Sequence, residues 1–292
     1  MILKIGSKGK NVEIIQSALG LRPDGDFGKM TEDAVRAWQK KNGLKIDGIV
    51  GPKTWDMMGF ATTDNSEHVL ITKGLVIEQH YLPSSEYKVG PTKKEYCFLH
   101  HTAGWHKPKL IIDSWAKDTR GTVATEFVLG GPSIKGDDNG WDGVLVQAFP
   151  EGGYGWHLGQ NGSQQMHTNS VGIEVCNFGY IVNGKTYSDT VAHESQIVTL
   201  DKVFRGHKTW HRYSDTQIEV LRKLILYIAE RDNIDVRAGL VAEIKVKGAA
   251  GFDYNDNAYY GKIKGLWTHT NVRKDKYDMF PQQELLDMLV SL

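Results

Sequence analysis

Val171-Gly-Ile-Glu-Val-Cys176 is a short apolar run with one carboxylate in it. A run of this composition reads as a buried strand. An ionised carboxylate inside such a strand is expensive to bury without a partner, so any fold this chain adopts must supply one to Glu174. Two readings are open: a structural ion pair, or a working group in a catalytic site.

Two other stretches bear on that choice. Glu95-Tyr-Cys-Phe-Leu-His-His101 is an apolar strand ending in two histidines and running into Thr102-Ala-Gly104. Side chains alternate across a strand, so only one of His100 and His101 can face a site. Trp267-Thr-His-Thr-Asn-Val-Arg-Lys-Asp-Lys-Tyr-Asp-Met-Phe-Pro281 holds His269, Lys276 and Asp278. A histidine and a carboxylate nine residues apart can share a divalent metal if the loop between them folds back. The lysine two residues before the carboxylate then falls at the rim of the same site.

A zinc hydrolase needs three protein ligands and an open position for water. It also needs a base near that water and a group to hold the oxyanion. The chain has no HExxH, since His193-Glu194 lacks its second histidine, and it has no G-x-S-x-G elbow. A zinc site here must be assembled from strand ends and loops.

Along the chain, residues 11–19 place Val12, Ile15 and Leu19 on one helical face. A second helix is expected over Lys29 to Lys40, burying Ala34, Val35 and Trp38, and a third opens at Gly51-Pro52. Asp24-Gly-Asp-Phe-Gly28-Lys-Met-Thr31 and Asp47-Gly-Ile-Val-Gly51-Pro-Lys-Thr54-Trp55 echo each other at the starts of the second and third helices. Ala61 to Glu67 is polar and aperiodic and reads as a linker. The expected organisation is a module at 1–60, a linker at 61–70 and a larger domain at 71–292. Further strands are expected at Leu75–Tyr81, Val123–Leu129 and Gly143–Phe149, and helices from Pro108 to Lys117 and after Pro281. Asn183-Gly184 marks a hairpin, and Ser214-Asp-Thr-Gln217 is a capping box opening a helix that ends near Arg231. Residues 235–264 cannot be placed. The fold class is an α/β domain, a mixed sheet with helices on its faces, preceded by a small all-α domain.

The first stretch resembles the peptidoglycan-binding domain 1 family, a small three-helix module. The resemblance rests on Gly6, Gly9, Val12, Gln16, Leu19, Asp24-Gly25, Phe27-Gly28, Thr31, Ala34-Val35, Trp38-Gln39, Gly43-Leu44, Asp47-Gly48, Gly51 and Thr54-Trp55. It implies binding to bacterial peptidoglycan.

Residues 70–292 resemble the zinc-dependent N-acetylmuramoyl-L-alanine amidase type 2 family, on Phe98-Leu99-His100, Ser170-Val-Gly-Ile-Glu174, and His269 with Lys276-Tyr-Asp278. The resemblance implies Zn²⁺ on His100, His269 and Asp278, and it selects His100 over His101. It further implies Glu174 as general base and acid and Lys276 on the oxyanion, with cleavage between N-acetylmuramic acid and L-alanine. His101, Trp156 and His157 are expected to contact substrate, His157 as a contact and not a ligand. Glu126, in Thr125-Glu126-Phe127, is either a second catalytic acid or a solvated strand residue. The chain departs from the family where His269-Thr-Asn271 and Arg273-Lys274 replace the usual His-x-Asp and proline. The rival readings are a non-catalytic peptidoglycan-recognition protein and a stem-peptide endopeptidase.

Formal net charge is zero, which gives no global field for nucleic acid. Residues 1–60 carry ten lysines and arginines against seven acidic residues, a mild basic excess. Cys97 and Cys176 sit in apolar runs and read as buried reduced thiols. The N-terminal stretch lacks the apolar core of a secretory leader, and no run approaches the ~18 apolar residues of a membrane span. The expectation is therefore a monomer made in a host cytoplasm, without membrane insertion, acting on the wall after release, as a phage endolysin does.

Overall fold

The computed structural model describes residues 3–58, 68–72, 74–90, 92–159 and 164–292. By compactness the chain divides into Met1–Thr72 and Lys73–Leu292.

In the first unit α1 (Lys10–Ala18), α2 (Lys29–Lys41) and α3 (Pro52–Met57) enclose Val12, Ile15, Phe27, Val35, Val50 and Trp55. Leu19 and Trp38 are only half-buried, and the buried residue next to Trp38 is Gln39. The sequence echo reappears here as matched hydrogen bonds. Gln16 Nε2 donates to Asp24 Oδ1 at 2.7 Å, Asp26 O at 3.0 Å and Thr31 Oγ1 at 3.1 Å, while its Oε1 accepts from Gly25 N. Gln39 Nε2 donates to Asp47 Oδ1 at 3.0 Å, Ile49 O at 2.9 Å and Thr54 Oγ1 at 3.1 Å, while its Oε1 accepts from Gly48 N. Gly25 and Gly48 take φ of 72° and 70°, the left-handed region that glycine enters without a Cβ penalty. Each glutamine thus ties the end of one turn to the start of the next helix.

The second unit opens with β1 (His68–Thr72) and β2 (Leu75–Gln79); β1 is counted here because it joins this unit's sheet. It starts inside the stretch expected as linker, whose residues 61–67 lie outside the described ones. There follow β3 (Lys88–Val89), β4 (Tyr96–His101), α4 (Pro108–Trp115), β5 (Phe127–Leu129), β6 (Leu145–Gln147), β7 (Gly153–Tyr154), α5 (Gln164–Thr168) and β8 (Ser170–Val175). Next come β9 (Ile197–Phe204), β10 (His207–His211), α6 (Asp215–Asp232), α7 (Leu240–Lys247), α8 (Asp256–Tyr259), β11 (Gly265–Thr268), α9 (His269–Val272) and α10 (Gln283–Val290).

Among the described residues, seven strands form one sheet in the order β1-β2-β6-β5-β8-β4-β11. The pairs β2·β6, β5·β8, β4·β8 and β4·β11 are parallel, and β5·β6 is antiparallel, so the sheet is mixed. Ile112 of α4 packs on Val128, Val146 and Ala148 on one face. Arg231 of α6 lies over the Phe127 ring on the other, 5.6 Å from its centroid. Ser214 and Gln217 form the capping box of α6, which stops at Asn233 in the left-handed conformation.

The strands expected at Val123–Leu129 and Gly143–Phe149 are shorter, because only the last three residues of the first and the central three of the second pair. The unplaced stretch holds α7, a tight helical turn at Gly248–Phe252 and α8. These helices are too short to display a periodic apolar stripe. The β9–β10 hairpin was not foreseen; its signal was Arg205-Gly206 after a run rich in β-branched residues and before Thr209-Trp210.

Replacing Gln39 with alanine should leave Gly48 N–H and the Thr54 hydroxyl short of a buried partner. The expected cost is about 1–3 kcal/mol. Calorimetry of the full chain should show a lowered transition, and hydrogen exchange should quicken at Gly48. Unchanged exchange there would mean that water substitutes for the amide.

Candidate metal centre

Three neighbouring parallel strands, β8, β4 and β11, end at the same edge of the sheet. His100 is in register with Glu174, and Thr268 with Leu99, so His269 follows at the level of His100. The carboxyl ends of parallel strands are where α/β sheets place their ligands. His269 then opens α9, fixed by a capping box between Thr268 and Asn271. Asn271 is fully buried, and its Nδ2 donates to the carbonyls of Gly251 and Asp253, both at 2.8 Å. The departure from the family at His269-Thr-Asn271 is therefore a helix cap anchored to the segment before α8.

The loop after α9 folds back, with Thr270 N donating to Asp278 O at 3.2 Å. Asp278 Oδ2 then lies 3.0 Å from His269 Nδ1 and 3.3 Å from His100 Nδ1. Among the described residues these three form the one group of histidine and carboxylate atoms close enough to hold a metal ion.

The hydrogen bonds behind this cluster decide which nitrogens are bare. The Ser170 hydroxyl donates to the His167 carbonyl at 3.4 Å, so its oxygen accepts from His157 Nε2–H at 2.7 Å. His157 Nδ1 is then an acceptor and takes the proton of His100 Nε2 at 2.9 Å. On the other side, His269 Nε2–H donates to the Leu158 carbonyl at 3.2 Å. In their neutral forms both rings consequently turn a bare Nδ1 lone pair toward the Asp278 carboxylate. Three electron-rich atoms facing one another repel unless a cation lies between them. The two distances from Asp278 Oδ2, 3.0 and 3.3 Å, are close to the edge of a zinc tetrahedron, about 3.3 Å for bonds of about 2.0–2.1 Å. The donor set, two imidazoles and a carboxylate, suits zinc.

Charge states agree with this arrangement. Burial lowers the His100 pKa to about 4, so the ring is neutral near pH 7. Burial also opposes ionisation of Asp278, but the His269 and His100 rings beside it outweigh burial and hold the carboxyl well below the usual range. Glu174 moves the other way: burial pushes it well above the usual carboxylate range and Asp278 adds to the rise, while Lys276 pulls it down. Among the described residues the Glu174 carboxylate has no ion pair or hydrogen bond, so the structural ion pair is not what keeps it there. Lys276 is partly exposed and close enough for its charge to act on both Glu174 and His100.

Three expected site residues do other work. His101 alternates to the opposite face, where its Nδ1 bonds the Tyr213 hydroxyl at 2.9 Å and its ring packs on Phe280 and Trp210. It is a core residue, not a substrate contact. Glu126 is neither a second catalytic acid nor a solvated residue. It is 1% exposed and paired with Arg231, Oε1 to Nη1 at 2.6 Å, with Gln147 Nε2 donating at 3.0 Å. Arg231 also covers Phe127, which is in register with Ile173, the neighbour of Glu174 that points to the other face. His157 has both ring nitrogens engaged in the relay behind His100, so it buttresses His100 and has no free ring nitrogen for substrate. No motif marked that relay, although Ser170 opens the Ser170–Glu174 motif. Trp156 is 39% exposed and lines an open cleft of about 600 Å³ with Glu86, Lys88, Arg120 and Thr122.

Residues 90–278 match the model of the N-acetylmuramoyl-L-alanine amidase family, and residues 8–58 match that of a peptidoglycan binding domain. Among solved structures, a fused Zn-dependent amidase/peptidase/peptidoglycan-binding protein from Clostridium acetobutylicum is similar at 35% identity over 22% of this chain and 31% of its own, TM-score 0.20. The catalytic domain of XlyA is similar at 14% identity over 74% of this chain and 95% of its own, TM-score 0.38. The amidase AmiD from E. coli, solved with anhydro-N-acetylmuramic acid-L-Ala-D-γ-Glu-L-Lys, is similar at 18% identity over 58% of this chain and 54% of its own, TM-score 0.31. The chain spans about a third of the length of the first of these.

Two outcomes are expected from this geometry. His157→Phe should keep the fold and weaken zinc binding about 10–100-fold, because it frees the His100 tautomer; competition against a chromophoric chelator measures it. Arg231→Met should leave zinc affinity intact and lower stability by about 3–5 kcal/mol, because Glu126 stays buried without its cation. Urea unfolding monitored by tryptophan fluorescence checks the second.

Proposed function

As the chain belongs to the N-acetylmuramoyl-L-alanine amidase family, we propose that it is a zinc-dependent peptidoglycan hydrolase that cuts the amide between N-acetylmuramic acid and the L-alanine of the stem peptide. His100, His269 and Asp278 would hold the ion. When bound there, zinc supplies a Lewis acid for the scissile carbonyl and lowers the pKa of water.

The observation that supports this most is the pairing of that bare donor set with Glu174. Glu174 stands beside His100 on the next strand, without a partner of its own, and its pKa is raised. A carboxylate in that state suits proton transfer near neutral pH. In the proposed reaction Glu174 takes the proton of the attacking water and returns it to the departing L-alanine amine. The Lys276 ammonium steadies the charge that develops on the carbonyl oxygen. The cleft beside Trp156, with Lys88, Arg120 and Glu86 along it, has the size of a ligand site and would receive part of the glycopeptide.

Residues 8–58 are proposed to hold the enzyme on the wall. Tethering raises the local substrate concentration without touching the chemistry. A wall-binding head and a wall-cutting domain on one chain suit lysis of the endolysin kind, and phage-driven lysis of a host is the setting we propose.

Digestion of purified sacculi, with and without a chelator, tests the reaction. Mass spectra should show free stem peptides beginning at L-alanine, and only when zinc is present. Split crosslinks with stems still on the glycan would instead mark an endopeptidase, and intact walls a binding protein. Within an active enzyme, Glu174→Gln should keep zinc and lose about 10²–10⁴-fold in single-turnover rate. Asp278→Asn should lose zinc and rate together, because a neutral amide is a poor zinc ligand. A Glu174→Gln enzyme retaining more than about a tenth of the rate, set against that range, would remove Glu174 from the mechanism.

A further inference from the structure

The β9–β10 hairpin contributes no group to the metal centre, yet it holds the loop that does. Arg205 Nη2 donates to Thr270 O at 2.8 Å and Nη1 to Lys274 O at 2.6 Å. The His207 ring stacks on Tyr180 at 3.7 Å and lies 5.6 Å from the Tyr277 ring, and Trp210 stacks on Phe280 at 4.5 Å. Thr270, Lys274, Tyr277 and Phe280 bracket Lys276 and Asp278 from both sides.

The chemistry at the hairpin tip is specific. Arg205 and Gly206 take φ of 49° and 83°, the double left-handed turn that matches strand twist. Arginine is an uncommon residue at positive φ, so its presence there calls for a side-chain reason. The reason lies across from it. α9 has four residues, and its C-terminal carbonyls have no partner within the helix. The Arg205 guanidinium satisfies one of them at Thr270, places a positive charge at the negative end of the helix, and reaches on to the carbonyl of Lys274.

We infer that Arg205 is a positioning residue: from the tip of the hairpin it braces the loop 270–278, so that Asp278 meets His100 and His269 and Lys276 stays at the rim. The brace on the loop stands on these contacts alone; its effect on zinc rests on the metal reading above.

The test uses the full chain with Arg205→Ala and Arg205→Lys. Hydrogen exchange of the metal-free protein should quicken about tenfold or more over 270–278 in Arg205→Ala, while β4 and β8 stay protected. Zinc affinity, measured by competition with a chromophoric chelator, should fall about 10–100-fold, as for other groups that orient ligands. Arg205→Lys, able to keep one of the two bonds, should fall between. Unchanged exchange over 270–278 would overturn the brace, and so would a loosened loop with undiminished zinc affinity. Should Arg205→Ala also expose β4 and β8, the graded response of Arg205→Lys decides. Wild-type protein that takes up no zinc would overturn the metal reading instead, and exchange alone would then decide the brace.

Discussion

Everything at the candidate site depends on three strands lying side by side and parallel. Because β8, β4 and β11 run the same way, their carboxyl ends share one edge, and register places His100, Glu174 and His269 at one level. An antiparallel neighbour at either position would have sent its last residue to the opposite edge. Parallel pairing also explains the sequence character of these strands. Both faces of the sheet are covered, so β4 and β8 are apolar nearly throughout, with His100, His101 and Glu174 toward their carboxyl ends and Ser170 at the start of β8. It further demands long crossovers, which is why α6, α7 and α8 separate β8 from β11.

Buried charge is then resolved in three different ways within one sheet. Glu126 is matched by Arg231 and Gln147, a closed set with nothing left over. Asp278 lies between two imidazole Nδ1 atoms, a group close enough to hold a cation. Glu174 has no hydrogen-bond or ion-pair partner among the described residues, and burial raises its pKa. The contrast separates structure from chemistry more sharply than burial does, since all three carboxylates are withdrawn from solvent. Stability accounts for the first. Glu174, with its raised pKa, costs stability when ionised, and proteins tolerate such local conflicts chiefly at functional sites.

The first unit shows the same economy of polar groups in a purely structural role. Gln16 and Gln39 repeat one hydrogen-bond pattern, donating to an aspartate, a backbone carbonyl and a threonine and accepting from a glycine. Each holds a turn that a core of this size could not order by apolar contact alone.

The sequence by itself determined the helices of the first unit, the apolar strands ending at His101 and Cys176, the capped helix after Ser214, and the three short motifs that contain His100, Glu174, His269 and Asp278. These signals are local: periodicity, capping and turn chemistry act within a few residues. Glu126 and Glu174 look alike in sequence, each an acid in an apolar run, and only the fold shows that one meets Arg231 about a hundred residues away and the other has no ion-pair partner among the described residues. His100 and His101 are adjacent, and strand alternation separates their roles only once the facing surfaces exist. The tautomers of His100 and His269, the relay through His157 and Ser170, and the reach of Arg205 to Thr270 all join segments far apart in the chain. Tertiary structure decided them because a hydrogen bond or an ion pair is set by distance and direction, and neither is written in the order of residues.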